Sequence, residues 1–303
     1  MKALILGSKG QLGHALTKTA PNGTTVTGLH RPDLDITDLD QLRSQCVSEK
    51  PAVIVNAAAY TSVDLAESQA TAAEAVNVDG ARNIAIISRE LDARLIHVST
   101  DFVFDGNSSV PYTAAADTRP LNVYGQTKRD GERAVLKETD GTGIIVRTSW
   151  LYSATGHNFV NTMLRLMREK DDLAVVSDQV GSPTWADSLA EAIWQIAGTP
   201  GLHGIYHWSD QGQVSWYEFA LAIQEEAVSL GILSNAIPIR PIRSAEYKST
   251  AVRPAFSVLD CTATQQALAI QPATWRENLR RMLAAVETTT ASRQVRARPR
   301  ARK

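Results

Sequence analysis

Tyr124 and Lys128 stand four residues apart in "YGQTK", a spacing that stacks two side chains on one face of a helix. A free tyrosine titrates at about 10, too high for easy acid–base work near neutral pH. A cation close by favours the phenolate and lowers that value. The pair is therefore either an ordinary surface contact or a proton donor beside the cation that tunes it. Upstream, "STDFVFDG" supplies the hydroxyl of Thr100, a group able to polarise a carbonyl. At the N-terminus, "GSKGQLG" sets Gly7, Gly10 and Gly13 between an apolar run and a helical pattern. Gly7 suits a tight turn, Gly10 a close backbone approach to a pyrophosphate, and Gly13 the packing of helix on strand. The helix start then offers unpaired amides to the phosphates.

These residues need a scaffold, and the first half of the chain describes one. "ALILG", "TTVTGL", "AVIVNAAA", "ARLIHVST" and "GIIVRTSW" read as strands. Between them lie helical patterns, including "DLDQLRSQCVSEK", opened by the cap candidate Asp38, and the long "ATAAEAVNVDGARNIAIISREL". Strands alternating with helices predict an α/β fold, a doubly wound parallel sheet of the Rossmann type. After Trp150 the alternation loosens. We divide the chain into a nucleotide-binding domain at 1–150, a smaller C-terminal substrate lobe at 151–290, and a basic, unstructured tail at 291–303. Some later elements, such as "GIYHWS", are free to return to the first sheet.

The end of the second strand bears on the cofactor. A carboxylate there would bond the ribose hydroxyls of NADH, whereas an arginine pairs with the extra phosphate of NADPH. "GLHRPDLDITD" places Arg31 at that point and Asp35 four residues on. NADPH is favoured, with NADH the alternative, and Asp35 is expected near the adenine.

Composition excludes several classes. With 303 residues and a net charge of −1, the chain has no overall electrostatic case for nucleic acid or membrane binding. No apolar run approaches the ~18 residues that span a bilayer, and the N-terminal one is too short for a signal peptide. Cys46 and Cys261 lie far apart without metal-ligand spacing, which suits a soluble protein of the reducing cytoplasm. No metal site is expected, because the six histidines form no ligand motif.

Taken in order, "GSKGQLG", "NAAAYTSVDLAE", "STDFVFDG", "PLNVYGQTK", "RTSWLY", "DQVGSPT" and "VRPAFSVLD" resemble the extended short-chain dehydrogenase/reductase family. Within it they resemble the branch that reduces dTDP-linked 4-keto deoxy sugars. The resemblance implies that Tyr124 is the proton donor, that Lys128 binds the cofactor ribose and lowers the tyrosine pKa, and that Thr100 bonds the substrate oxygen. It places Gly10, Gln11 and Leu12 at the pyrophosphate, Asp35 and Ile36 at the adenine, and Ala59, Tyr60 and Thr61 beside the cofactor. It implies substrate contacts by Thr100, Asp101, Tyr124, Trp150 and Arg253. The partner is a nucleotide sugar, and a homodimer is compatible. The first helix carries His14 and Ala15 where an acid would be needed, so no metal is carried over.

Two other functions stay open at this point. A dehydratase or epimerase would share the fold, although dehydratases carry Asp then Glu after the threonine, and here Thr100 is followed by Asp101 and Phe102. A non-catalytic NADP-binding regulatory subunit, resembling that of methionine adenosyltransferase, is the other.

Overall fold

The structure, a computed structural model, describes residues 1–296, with the backbone alone for 287–296. The first half alternates β1 (Lys2–Leu6), α1 (Gln11–Lys18), β2 (Thr25–Leu29), α2 (Leu39–Glu49) and β3 (Val53–Asn56). It continues through the short α3 (Val63–Ala66) and α4 (Ala70–Glu74), then α5 (Ala81–Glu90), β4 (Arg94–Thr100), α6 (Val123–Glu138) and β5 (Ile144–Thr148). β3 and β5 are buried along their whole length, which is why they read as unbroken apolar runs. Asp38 caps α2, its side chain accepting from Gln41 N.

In the second half come β6 (Leu151–Tyr152), α7 (Phe159–Glu169), β7 (Leu173–Val176), β8 (Val180–Gly181), β9 (Thr184–Trp185) and α8 (Ala186–Gly198). They are followed by β10 (Gly204–His207), β11 (Val214–Ser215), α9 (Trp216–Ser229), β12 (Ile239–Ile242), α10 (Thr262–Leu268) and α11 (Trp275–Arg296). β10 pairs in parallel with β5, giving a sheet of order β10-β5-β4-β3-β1-β2. Every pairing in this sheet is parallel.

Helices cover both faces. Leu12 and Leu16 of α1 pack with Leu189, Ile193 and Trp194 of α8 on one face. On the other, Leu42, Ile84, Ile87 and Val135 close over Leu4 and Ile54. So α8 and β10, although late in the chain, belong to the nucleotide-type layer. A separate core holds the remaining lobe, where Val160 and Leu164 meet Phe219, Ile223, Leu279 and Met282.

Strand order reverses between β1 and β3, since β2 lies to one side and β4, β5 to the other. Ligands of such sheets bind in the crevice beyond the strand C-termini at this switch point. The loops after β1, β3 and β4 all open there.

Two expectations need correcting. The long pattern after residue 70 is not one regular α-helix, because Ala75–Gly80 forms a π-helical turn between α4 and α5. The wider turn directs Asn77 inward, where it is 1% exposed. The basic tail also does not begin at 291, since α11 runs to Arg296. "ASRQVR" consists largely of residues that tolerate a helix interior. Residues 297–303 of the expected tail lie outside the described residues.

Candidate active site

α6 begins at Val123, with Asn122 as its cap accepting from Gly125 N at 2.8 Å. A Cβ at Gly125 would run into the Phe102 carbonyl, so glycine lets the helix start lie directly on the turn after β4. That contact brings Tyr124 to Thr100. Thr100 acts on the phenol from beside it, and its own hydroxyl donates to Asp101 Oδ1 at 3.0 Å. Phe102 meets the Tyr124 ring edge-on at 5.6 Å.

The electrostatics depart from the sequence reading. Lys128 is not among the groups that shift Tyr124. Burial pushes the phenol up to about 12, and the neighbouring Asp101 carboxylate adds to that while Thr100 opposes it. Lys128 is itself pulled down to about 8 by burial, with Glu132 acting against the shift. Its ammonium is committed to the Val98 carbonyl at 2.7 Å. Burial thus favours the neutral form of both groups on this helix turn. Tyr124 holds its proton throughout the neutral range, as a donor must.

The glycine loop is held tightly. Gly7 has φ +82, and a Cβ there would lie 2.7 Å from Ala58 N. Gly10 precedes α1 without any side-chain cap, while Leu12 and Gly13 are buried inside the helix. This is a cradle of backbone amides closed to side chains, and it fits a pyrophosphate. Gln11 faces elsewhere, with its Oε1 accepting from Ser153 Oγ at 2.9 Å and Asn158 Nδ2 at 2.8 Å. Arg31 is 81% exposed and reaches Asp35 at 3.4 Å. Asp35 is turned onto Thr37, whose amide and hydroxyl both bond its Oδ1. Ile36 is buried against the first-half core. Ala59, Tyr60 and Thr61 follow β3, and Asn77 fixes them by accepting from Tyr60 N and donating to Tyr60 O and Thr127 Oγ1.

Beyond Phe102 opens a cavity of about 700 Å³ lined by Trp150, Phe159, Met163, Trp216, Tyr247 and Arg253, among others. Ser257 is also on its wall. Burial raises the Asp101 carboxyl to about 6, and its Oδ2 is buried with no hydrogen-bond partner. Trp150 adopts φ +46, a left-handed conformation that costs a bulky residue about 1–3 kcal/mol. One indole face stacks on Trp216 at 3.4 Å, so that face belongs to the lobe's packing while the ring still lines the cavity. Arg253 pairs with Asp64 at 2.6 Å.

Several buried polar residues escaped the sequence reading. His97 sits between Asn56, at 2.9 Å, and Lys128, at 3.5 Å. Glu132 takes Arg147 in a two-pronged ion pair behind the site, at 2.9 and 2.7 Å. The available signal was a charged or polar side chain inside an otherwise apolar strand or helix face: His97 in "LIHVST", Arg147 in "IIVRTS", Asn77 in "EAVNVDG". No group of three or more His, Cys, Asp or Glu among the described residues is able to hold a metal ion. No helix among them is long and apolar enough to cross a membrane.

Residues 1–288 match the family described as RmlD substrate binding domain. The dTDP-4-dehydrorhamnose reductase of Aggregatibacter actinomycetemcomitans is 44% identical, over 94% of this chain and 99% of its own. That of Escherichia coli K12 is 38% identical, over 96% of this chain and 100% of its own. Among solved structures, a dTDP-4-dehydrorhamnose reductase from Bacillus anthracis in complex with NADP superposes with a TM-score of 0.88 at 35% identity. It covers 94% of this chain and 99% of that one.

Proposed function

The chain belongs to the RmlD substrate-binding-domain family, and from that premise we propose that it reduces dTDP-4-dehydro-L-rhamnose to dTDP-L-rhamnose with NADPH. The observation that carries this reading is the buried Tyr124, on the helix turn that also carries Lys128, its ring edge-on to Phe102 on the wall of the cavity. NADPH, when bound, supplies the hydride for the keto carbon.

The chain's own residues do the rest. The amides after Gly7 and Gly10 hold the pyrophosphate, and Lys128 holds the nicotinamide ribose. Thr100 and Tyr124 grip the keto oxygen, and Tyr124 Oη passes its proton to that oxygen as negative charge develops on it. Asp101 Oδ2, buried without a partner, is the acceptor left for a sugar hydroxyl. Trp150 and Arg253 border the room for the rest of the nucleotide sugar. The product serves cell-surface polysaccharide synthesis, and the two free, buried cysteines suit the cytoplasm.

The test is NADPH consumption with 4-keto sugars linked to dTDP, UDP or GDP. One NADPH oxidised per dTDP-4-dehydro-L-rhamnose is expected. No oxidation with that sugar, beside rapid oxidation with another, would move the assignment to a different reductase.

Cofactor choice gives a separate prediction. The exposed Arg31 guanidinium is available to the adenosine phosphate of NADPH. Charge-assisted hydrogen bonds contribute about 1.5–3 kcal/mol, so Arg31→Ala should weaken NADPH roughly 10- to 100-fold and leave NADH almost unchanged. Fluorescence titration of both cofactors reads this. Equal losses, or none, would put the selector elsewhere.

A further inference from the structure

The geometry points to Asp64 as the residue that positions Arg253 for the diphosphate of the nucleotide sugar. It acts by clasping the 249–253 segment over the cavity. This rests on the functional reading above and assigns the part that a carboxylate outside the catalytic group plays in it.

Asp64 lies in the first turn of α3, just after the loop of Ala59, Tyr60 and Thr61. The segment it grips lies some 190 residues later in sequence. Asp64 Oδ1 accepts from Thr250 N and Ala251 N, both at 3.0 Å, and from Ser249 Oγ at 3.1 Å. Its Oδ2 takes Arg253 Nη2 at 2.6 Å. Arg253 Nη1 bonds Ser249 Oγ and the Ala251 carbonyl, closing the turn on itself. The head of α6 is fastened to the same segment, because Asn122 Nδ2 donates to the Val252 carbonyl at 2.8 Å. Glu67 of the same turn accepts from Val123 N at 2.8 Å. Three pieces of the site thus share one fastening: the loop after β3, the start of the helix carrying Tyr124, and the strap that carries Arg253.

Ser249 to Pro254 form part of the cavity wall. An arginine there is suited to a diphosphate, whose oxygens match the guanidinium fork, but a long side chain on a loop loses freedom when it binds. Asp64 removes that freedom in advance. The Arg253 bonds hold its carboxyl well below the usual range, at about 2. A lowered carboxyl keeps its contribution above the free aspartate value and loses it only as pH falls towards 2. The clasp is therefore closed at any working pH.

The test uses the full chain, with dTDP as the calorimetric probe and the nucleotide sugar in kinetics. Asp64→Ala should raise the dTDP Kd and the sugar KM roughly tenfold or more. It should change kcat less than threefold and leave the NADPH Kd and melting temperature close to the parent's. Asp64→Asn, which keeps one oxygen for the amides, should fall between. Added to Arg253→Ala, Asp64→Ala should cost little further dTDP affinity. A parent-like dTDP Kd in Asp64→Ala, or an equal loss with and without Arg253, overturns the proposal. A wild type that reduces the sugar while Asp64→Ala binds dTDP like it removes this proposal alone. A wild type that neither binds dTDP nor turns the sugar over removes the functional reading as well.

Discussion

Tyr124→Phe is expected to bind NADPH like the parent and to turn the sugar over roughly 10²–10⁴-fold more slowly, the usual contribution of a positioned acid–base group. The substitution deletes one oxygen and keeps the ring that Phe102 meets edge-on. Thr100 retains Asp101 and the Phe102 amide as partners, so the site should not rearrange. Because burial holds the phenol at about 12, the parent carries the proton through the whole neutral range. The variant has no phenolic proton to give, and the Thr100 hydroxyl already donates to Asp101. The measurements are kcat under saturating sugar and an independent cofactor titration. Turnover within a few-fold of the parent, with cofactor binding intact, would mean that a different group delivers the proton.

The second large effect is on stability. Arg147→Ala should lower the free energy of unfolding by about 3–5 kcal/mol, the usual cost of breaking a buried ion pair. In a chain of this size that is a fall in melting temperature on the order of 10 °C. Arg147 and Glu132 are 2% and 4% exposed, so neither finds water when its partner is gone. Ser99 also donates to Glu132, but a hydroxyl does not neutralise a carboxylate. Removing both charges with Arg147→Met and Glu132→Leu should recover most of the loss, since well-packed apolar replacements of buried pairs are often neutral. Thermal melts of the single and double variants decide this. A single variant melting within about 2 °C of the parent would show that the pair is not what holds α6 to the sheet.

What the sequence made legible follows from how local each signal is. β1, β3 and β5 were readable because strands covered on both faces are continuous apolar runs. The glycine loop and the Tyr124–Lys128 turn were readable because each lies within a few residues of chain. The protonation of that turn was not. Lys128 looked like the cation that lowers the tyrosine, but helix spacing carries no information on burial, and burial dominates both groups. Asn77 was hidden by a π-helical turn that no 3.6-residue period predicts. β8 and β11 are two residues each and exist only through their pairing. The Asp64–Arg253 clasp joins two segments whose proximity only the folded chain reveals.

The central claim is reduction at the sugar's keto carbon with Tyr124 supplying the proton. Its most direct test is a single turnover with NADPH deuterated at nicotinamide C4, followed by NMR of the nucleotide sugar. The account predicts one deuterium on C4 of the product dTDP-L-rhamnose and none elsewhere on the ring. Deuterium at another carbon, or an unlabelled sugar beside oxidised cofactor, would contradict it.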